Sequence, residues 1–189
     1  MAEPASLTII GIDPGYALTG YGIVNKTGNK FTTIDYGIIE TKAHTDFELR
    51  LLTINEKIKF LLETYKPDIM AVEELFLYHN TTTAIGTAQA RGVVLVEAAR
   101  AGIPVYEFTP GQVKSAVTGY GKSDKKQVAF MTKSILGLKE MPKPDDVTDA
   151  LAVAICMANT GTGFANKAVS GYQYGRYGYS KRSDFDDIT

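Results

Sequence analysis

A chain of 189 residues, 44% of them apolar and with a formal charge of −1, reads as one soluble globular domain with a full core and room for a tail. The charge balance excludes a uniformly basic, nucleic-acid-coating protein. No apolar run approaches the ~18 residues of a bilayer-spanning helix, and the start MAEPAS lacks the basic and apolar regions of a signal peptide, so a cytoplasmic location is expected. A single cysteine, Cys156, excludes an intrachain disulfide framework or a cysteine-rich zinc site and reads as core.

The stretch Leu7 to Gly22, LTIIGIDPGYALTGYG, begins apolar on both faces, the pattern of a central strand covered on both sides. Pro14 and Gly15 stop it immediately after Asp13. A carboxylate at the exit of a buried strand is costly unless something cationic meets it; a metal ion, a phosphate-bound cation and an Asx-turn are the candidates. Tyr21 to Lys26 and Phe31 to Thr41 read as further strands around a Thr27-Gly28-Asn29 turn. Ala17 to Gly20 is too short for a crossover helix, so these three strands form an antiparallel meander.

Phe47, Leu51, Ile54, Ile58, Leu61 and Leu62 make a helical stripe from Phe47 to Tyr65, ended by Pro67. Asp68 to Glu73 is a short buried strand that, like the first, finishes on a carboxylate. Asn80 to Ala101 reads as a helix whose small residues Ala84, Gly86, Ala88, Ala90 and Gly92 permit close approach of another element, and Ile103 to Phe108 is the fifth strand. Pro110 opens a short helix carrying Lys114, Ser123 or Asp124 caps the next to about Leu136, and a last helix follows Pro142-Lys143-Pro144 to about Asn159. The alternation predicts an α/β domain over 7–159, a five-stranded mixed sheet flanked by helices. The first six residues are expected to be flexible, and 160–189, rich in Gly, Tyr and Ser without either period, a disordered tail.

Two strands ending in acids and a last helix beginning with Asp145, Asp146 and Asp149 can converge on one edge of a sheet. Asp146 and Asp149 are three apart and Asp145 and Asp149 four apart, so either pair can share a face, and spacing alone does not choose. Asp145 suits an N-cap and Asp146 the first-turn dipole. Asp149, which heads a stripe continued by Ala150, Val153 and Met157, faces the packed side. Two carboxylates ~4 Å apart repel by roughly 4 kcal/mol at an effective dielectric of 20, so a cluster of four needs divalent cations or protons. All-oxygen ligands suit Mg²⁺ or Mn²⁺, and two such ions ~3.5–4 Å apart activate water and stabilise the leaving oxygen in phosphodiester hydrolysis.

The motifs IIGIDPGYALTGYGIV, PDIMAVEELF, AQARGV, PVYEFTPGQVKSAVTGYG and DDVTDALAVAI, in this order, resemble the RuvC family of Holliday-junction resolvases within the ribonuclease-H-like nucleases, from Leu7 to about Ala158. The resemblance implies a ribonuclease-H-like fold and a two-metal endonuclease using Mg²⁺, with Mn²⁺ able to substitute. Its ligands fall on Asp13, Glu73, Asp146 and Asp149, favouring Glu73 over Glu74 and Asp146 over Asp145. It also implies a homodimer that nicks opposed strands of a four-way junction symmetrically in recombination and repair, alongside the RuvA-RuvB branch-migration complex.

The same resemblance assigns DNA contacts to Phe76, Lys114 and Lys125. On residues alone, Phe76 and Tyr78 read as packing and His79 as a loop histidine. Pro110 to Lys143 holds seven lysines against Asp124 and Glu140, a local basic face of the kind phosphate neutralisation needs. An actin-like ATPase or sugar kinase also binds phosphate at a turn after its first strand, but needs two large lobes. A non-catalytic junction-binding protein is the third reading, and it would be expected to have lost one or more of the four acids.

Overall fold

The computed structural model describes residues 6–75, 81–161 and 166–167. β1 (Ser6–Asp13), β2 (Leu18–Thr27) and β3 (Lys30–Glu40) form the expected antiparallel meander. β4 (Ile69–Glu73) runs parallel to β1 on its other side, and β5 (Val105–Phe108) runs parallel to β4. The sheet order is β3-β2-β1-β4-β5-β6, so the mixed core of five strands is joined by a sixth that the sequence reading does not anticipate. This β6 (Asn166–Lys167) pairs antiparallel with Tyr106 and Glu107, and two residues are too few to carry a periodic signal.

Among the described residues five helices cover the sheet: α1 (Phe47–Tyr65), α2 (Thr81–Arg100), α3 (Pro110–Thr118), α4 (Lys125–Leu136) and α5 (Asp145–Thr160). Local chemistry sets their ends. Thr109 and Asp124 each close a capping box with the glutamine three residues on, Gln112 and Gln127, and Lys66 ends α1 with its N–H on the Leu62 carbonyl. Among the described residues no helix is long and apolar enough to cross a membrane.

Strand alternation sorts the core into two layers. Ile10, Ile12, Met70 and Val72 face α1 and α2, where Ile54, Ile58, Leu61, Ala90, Val94 and Ala98 meet them. Ile9, Ala71, Tyr106 and Phe108 face the other way, onto α3, α4 and α5. Cys156 is buried there in α5, as its apolar pattern predicts. The backbone of α5 comes unusually close to β1 and β2. A Cβ on Gly11 would lie 2.1 Å from the Ala150 carbonyl oxygen, one on Gly20 2.0 Å from that of Asp146, and one on Gly22 2.5 Å from Leu151 Cδ2. Three glycines thus form a bare floor on which the helix rests.

This floor is testable by urea unfolding. Gly11→Ala lowers the unfolding free energy by about 3 kcal/mol, because the obstructing atoms are backbone. Gly92→Ala, on a helix where the new Cβ meets nothing within 4 Å, raises it by about 0.5–1 kcal/mol. A Gly11→Ala protein as stable as the parent contradicts the close approach.

Candidate active site

Asp13 is the last residue of β1, in register with Gly20 of β2. Counting back by twos gives Gly11 and Ile9, both on the α5 side, so the half-buried carboxylate points to the same face. The turn that follows is closed by Thr19 rather than by Asp13: the Thr19 hydroxyl donates to the Gly15 carbonyl at 2.7 Å. Tyr16 anchors the turn from outside. Its ring stacks on Phe47 with centroids 5.0 Å apart, Arg50 lies 3.6 Å over its centroid, and its carbonyl accepts from Thr41 Oγ1 at 2.8 Å. These positioning contacts are non-local, and nothing in the local sequence pattern around Asp13 signals them.

Glu73 ends β4 opposite Phe108. Ala71, two residues earlier, faces α5, so Glu73 does too, while Glu74 turns toward the α2 face. Strand parity therefore separates the two glutamates that spacing left open, in favour of Glu73. Asp146 and Asp149 lie in the first two turns of α5, above Gly20 and beside Gly11. The N-cap of α5 is Pro144, not Asp145 as its position after a proline led us to expect. Pro144 already provides the extended cap conformation, and the exposed Asp145 is the first helical residue, its carboxylate turned to Lys125.

The electrostatics bind these elements into one site. The Asp13 carboxyl is pushed up to about 7, first by burial and then by Glu73, Asp149 and Asp146, with Lys125 opposing. Glu73 is likewise pushed up to about 7, by burial and then Asp149, with Lys125 and Lys114 opposing. Asp149 is raised by burial, partly offset by Lys125. Lys125, the first residue of α4, sets its Nζ 3.0 Å from Asp149 Oδ2 and 3.4 Å from Asp145 Oδ2. Burial works against its charge and the two aspartates more than restore it, leaving its ammonium raised.

One ammonium against this many acids leaves a deficit of positive charge, and the donors are all oxygen, the set that suits a hard divalent cation. The residues fit such an ion in type and charge. Among the described residues no three His, Cys, Asp or Glu side chains are already gathered around one cation-sized position. Lys125 is the cation in contact with Asp149 and Asp145. Lys114, half-buried on α3, is near enough to act on Glu73, and Lys122 and Lys126 are exposed beside Lys125. Phe76, Tyr78 and His79 lie outside the described residues.

Known proteins resemble this chain over most of its length. The family model for crossover junction endodeoxyribonuclease RuvC matches residues 9–157. A crossover junction endodeoxyribonuclease RuvC of Desulfitobacterium hafniense is 53% identical over 154 residues, covering 82% of this chain and 93% of that protein. That of Brevibacillus brevis is 55% identical over 152 residues, covering 80% and 92%. Among solved structures, T. thermophilus RuvC in complex with Holliday junction substrate superposes with a TM-score of 0.81 at 36% identity, covering 86% of this chain and 99% of that one. The yeast mitochondrial Holliday junction resolvase Ydc2 shares the fold, with a TM-score of 0.54 at 13% identity over 78% and 77% of the two chains. The fold is ribonuclease-H-like, and by the extent of these matches the chain belongs to the RuvC family of crossover junction endodeoxyribonucleases.

Proposed function

We propose that this protein resolves four-way (Holliday) DNA junctions in recombination and repair, by paired symmetric nicks at two active sites of a homodimer. The observation that carries the reading is the convergence of Asp13, Glu73, Asp146 and Asp149 on one face of the sheet, where Asp13 and Glu73 hold their protons up to about 7. These four acids are the proposed ligands of two Mg²⁺ ions, with Mn²⁺ as a substitute, consistent with the metal dependence of RuvC-family nucleases. When bound, the ions supply Lewis-acid charge at the scissile phosphate and activate water for in-line attack. The chain's own part is to hold the acids rigidly at strand and helix ends, and Asp13, central to the cluster, is the proposed shared ligand.

Lys114 and Lys125 neutralise backbone phosphates beside the acids, and Phe76 stacks on a junction base, a contact worth ~1–3 kcal/mol and tolerant of sequence. Ile85, Gly92 and Val96 recur on one outward side of α2, with Ile85 and Val96 exposed and the Gly92 position open, which supports pairing of two copies through this helix. The cytoplasm is the proposed location and the RuvA-RuvB branch-migration complex the proposed working partner.

Asp13→Asn is expected to lower Mg²⁺-dependent nicking of a four-way junction at least about 10³-fold while junction affinity stays within a few-fold. Unchanged cutting by this variant, or equal cutting in chelator, would sink the metal mechanism.

The carboxyl shifts also predict the pH response of the metal-free protein. Asp13 and Glu73 have folded-state values raised above the ordinary 3.8 and 4.5, so the stability they contribute is complete below about pH 4 and is lost as pH rises through about 7. In chelator the protein melts at a lower temperature at pH 8 than at pH 6, and millimolar Mg²⁺ at pH 8 recovers the difference. Asp13→Asn raises the metal-free melting temperature at pH 8 by about 2–8 °C and weakens the Mg²⁺ response. Identical melting at both pH values with no Mg²⁺ response contradicts this.

A further inference from the structure

On the opposite face of the sheet from the acids, Arg91 of α2 and Glu107 of β5 form a buried ion pair, Arg91 Nη2 against Glu107 Oε1, with side chains 8% and 7% exposed. Such a pair stabilises a fold no better than apolar residues of the same volume would, so stability alone does not account for two charges under a helix. Its location points to another role. The β4–β5 register sets Glu107 opposite Val72 and Phe108 opposite Glu73, so the pair lies one rung from the acid at the strand end. Val72 and Val105 face α1 and α2, and by alternation Glu107 shares that face.

Glu74, the first residue beyond β4, is held to β5 by its N–H on the Phe108 carbonyl at 2.9 Å. Burial works against the Arg91 charge, and the Glu74 carboxylate works to keep it. Among the described residues Arg91 Nε has no hydrogen-bond partner, so the guanidinium has donor capacity beyond what Glu107 takes up.

We propose that Arg91 is a positioning residue for Glu73: gripping Glu107 from the α2 face, it holds β5 in place and so fixes the β4 end paired to it, which presents Glu73 to the α5 face beside Asp13. The Glu74 N–H on the Phe108 carbonyl ties the β4 end to β5, so a β5 held against α2 also holds the residue before Glu74, which is Glu73. The inference rests on the metal-dependent nuclease reading, in which Glu73 is a ligand.

The test uses the full chain and Mn²⁺ as probe, with free Mn²⁺ followed by electron paramagnetic resonance. Arg91→Met combined with Glu107→Leu removes both charges and keeps volume. This double variant is expected to melt within a few degrees of the parent and bind a four-way junction within twofold. Its Mn²⁺ dissociation constant is expected to rise roughly tenfold, and its single-turnover nicking rate at saturating DNA to fall by a similar factor. A folded double variant with Mn²⁺ affinity within twofold of the parent overturns the proposal and leaves the pair as packing. Glu107→Gln keeps the volume and an acceptor for Arg91 and tests the charge attraction of the pair by itself. It is expected to weaken Mn²⁺ binding about threefold or more, and unchanged binding overturns the proposal, whether or not the double variant folds. Asp13→Asn is the control for the underlying reading. If it binds Mn²⁺ and cuts like the parent, that reading fails; if it loses both while the double variant matches the parent, the Arg91 inference alone fails.

Discussion

Carboxylates held partly buried and close together, their burial costing most and their mutual repulsion next, are what this structure has to contain, and the containment comes from packing elsewhere. Asp13, Glu73 and Asp149 all hold their protons more tightly than free acids do, and Lys125 offsets only part of the strain. What keeps Asp146 and Asp149 against β1 is the buried length of α5, from Val147 to Ala158, seated on the glycine floor of Gly11, Gly20 and Gly22. Val147, Leu151, Val153, Ile155 and Met157 on that helix each contribute about 1.5–3 kcal/mol by burial, enough in sum to hold like charges together. Stability given up at the site is recovered in the core, the usual relation between a functional cluster and its scaffold. The same helix that makes the domain's core therefore also makes its site.

Much of this was legible in the sequence because it is written in local patterns. The stripe from Phe47 to Leu62 gave α1 its observed limits, and Pro14-Gly15 marked the end of β1 at Asp13. Acids at two strand ends and a helix start were visible as a possible cluster, yet Glu73 and Glu74 were not separable. Their difference is a parity relative to β1, which exists only once Ile12 is aligned with Val72. Asp145 was misread as a cap because a residue after proline is a good candidate locally, whereas Lys125, twenty residues away, decides where its side chain goes. Tyr16 and Arg50 left no signal, since their roles lie in contacts across the chain. The average charge hides a local one: a chain of net charge −1 concentrates seven lysines between Pro110 and Lys143.

That basic segment and the acid cluster meet at Lys125. The Asp124–Gln127 capping box fixes the start of α4, and so aims Lys125 at Asp149 and Asp145. Lys114 approaches Glu73 from α3. Two ammonium groups beside the acids offset part of the negative potential that a polyanion would meet at this edge. Binding governed by such contacts weakens steeply with salt, as phosphate neutralisation requires. On the far face, Arg91 and Glu107 extend the same logic of opposed charges under the strand that ends in Glu73.

The central claim is that these acids are poised for divalent cations, and proton release on metal binding tests it most directly. Titration of Mg²⁺ or Mn²⁺ into the metal-free protein at pH 7, repeated in buffers of different ionisation enthalpy, counts the protons displaced. With Asp13 and Glu73 both near 7, about one proton per site should leave as the ions enter, and Asp13→Asn should cut that release by about half or more. Metal binding with no proton release, or the same release from Asp13→Asn, would contradict the account.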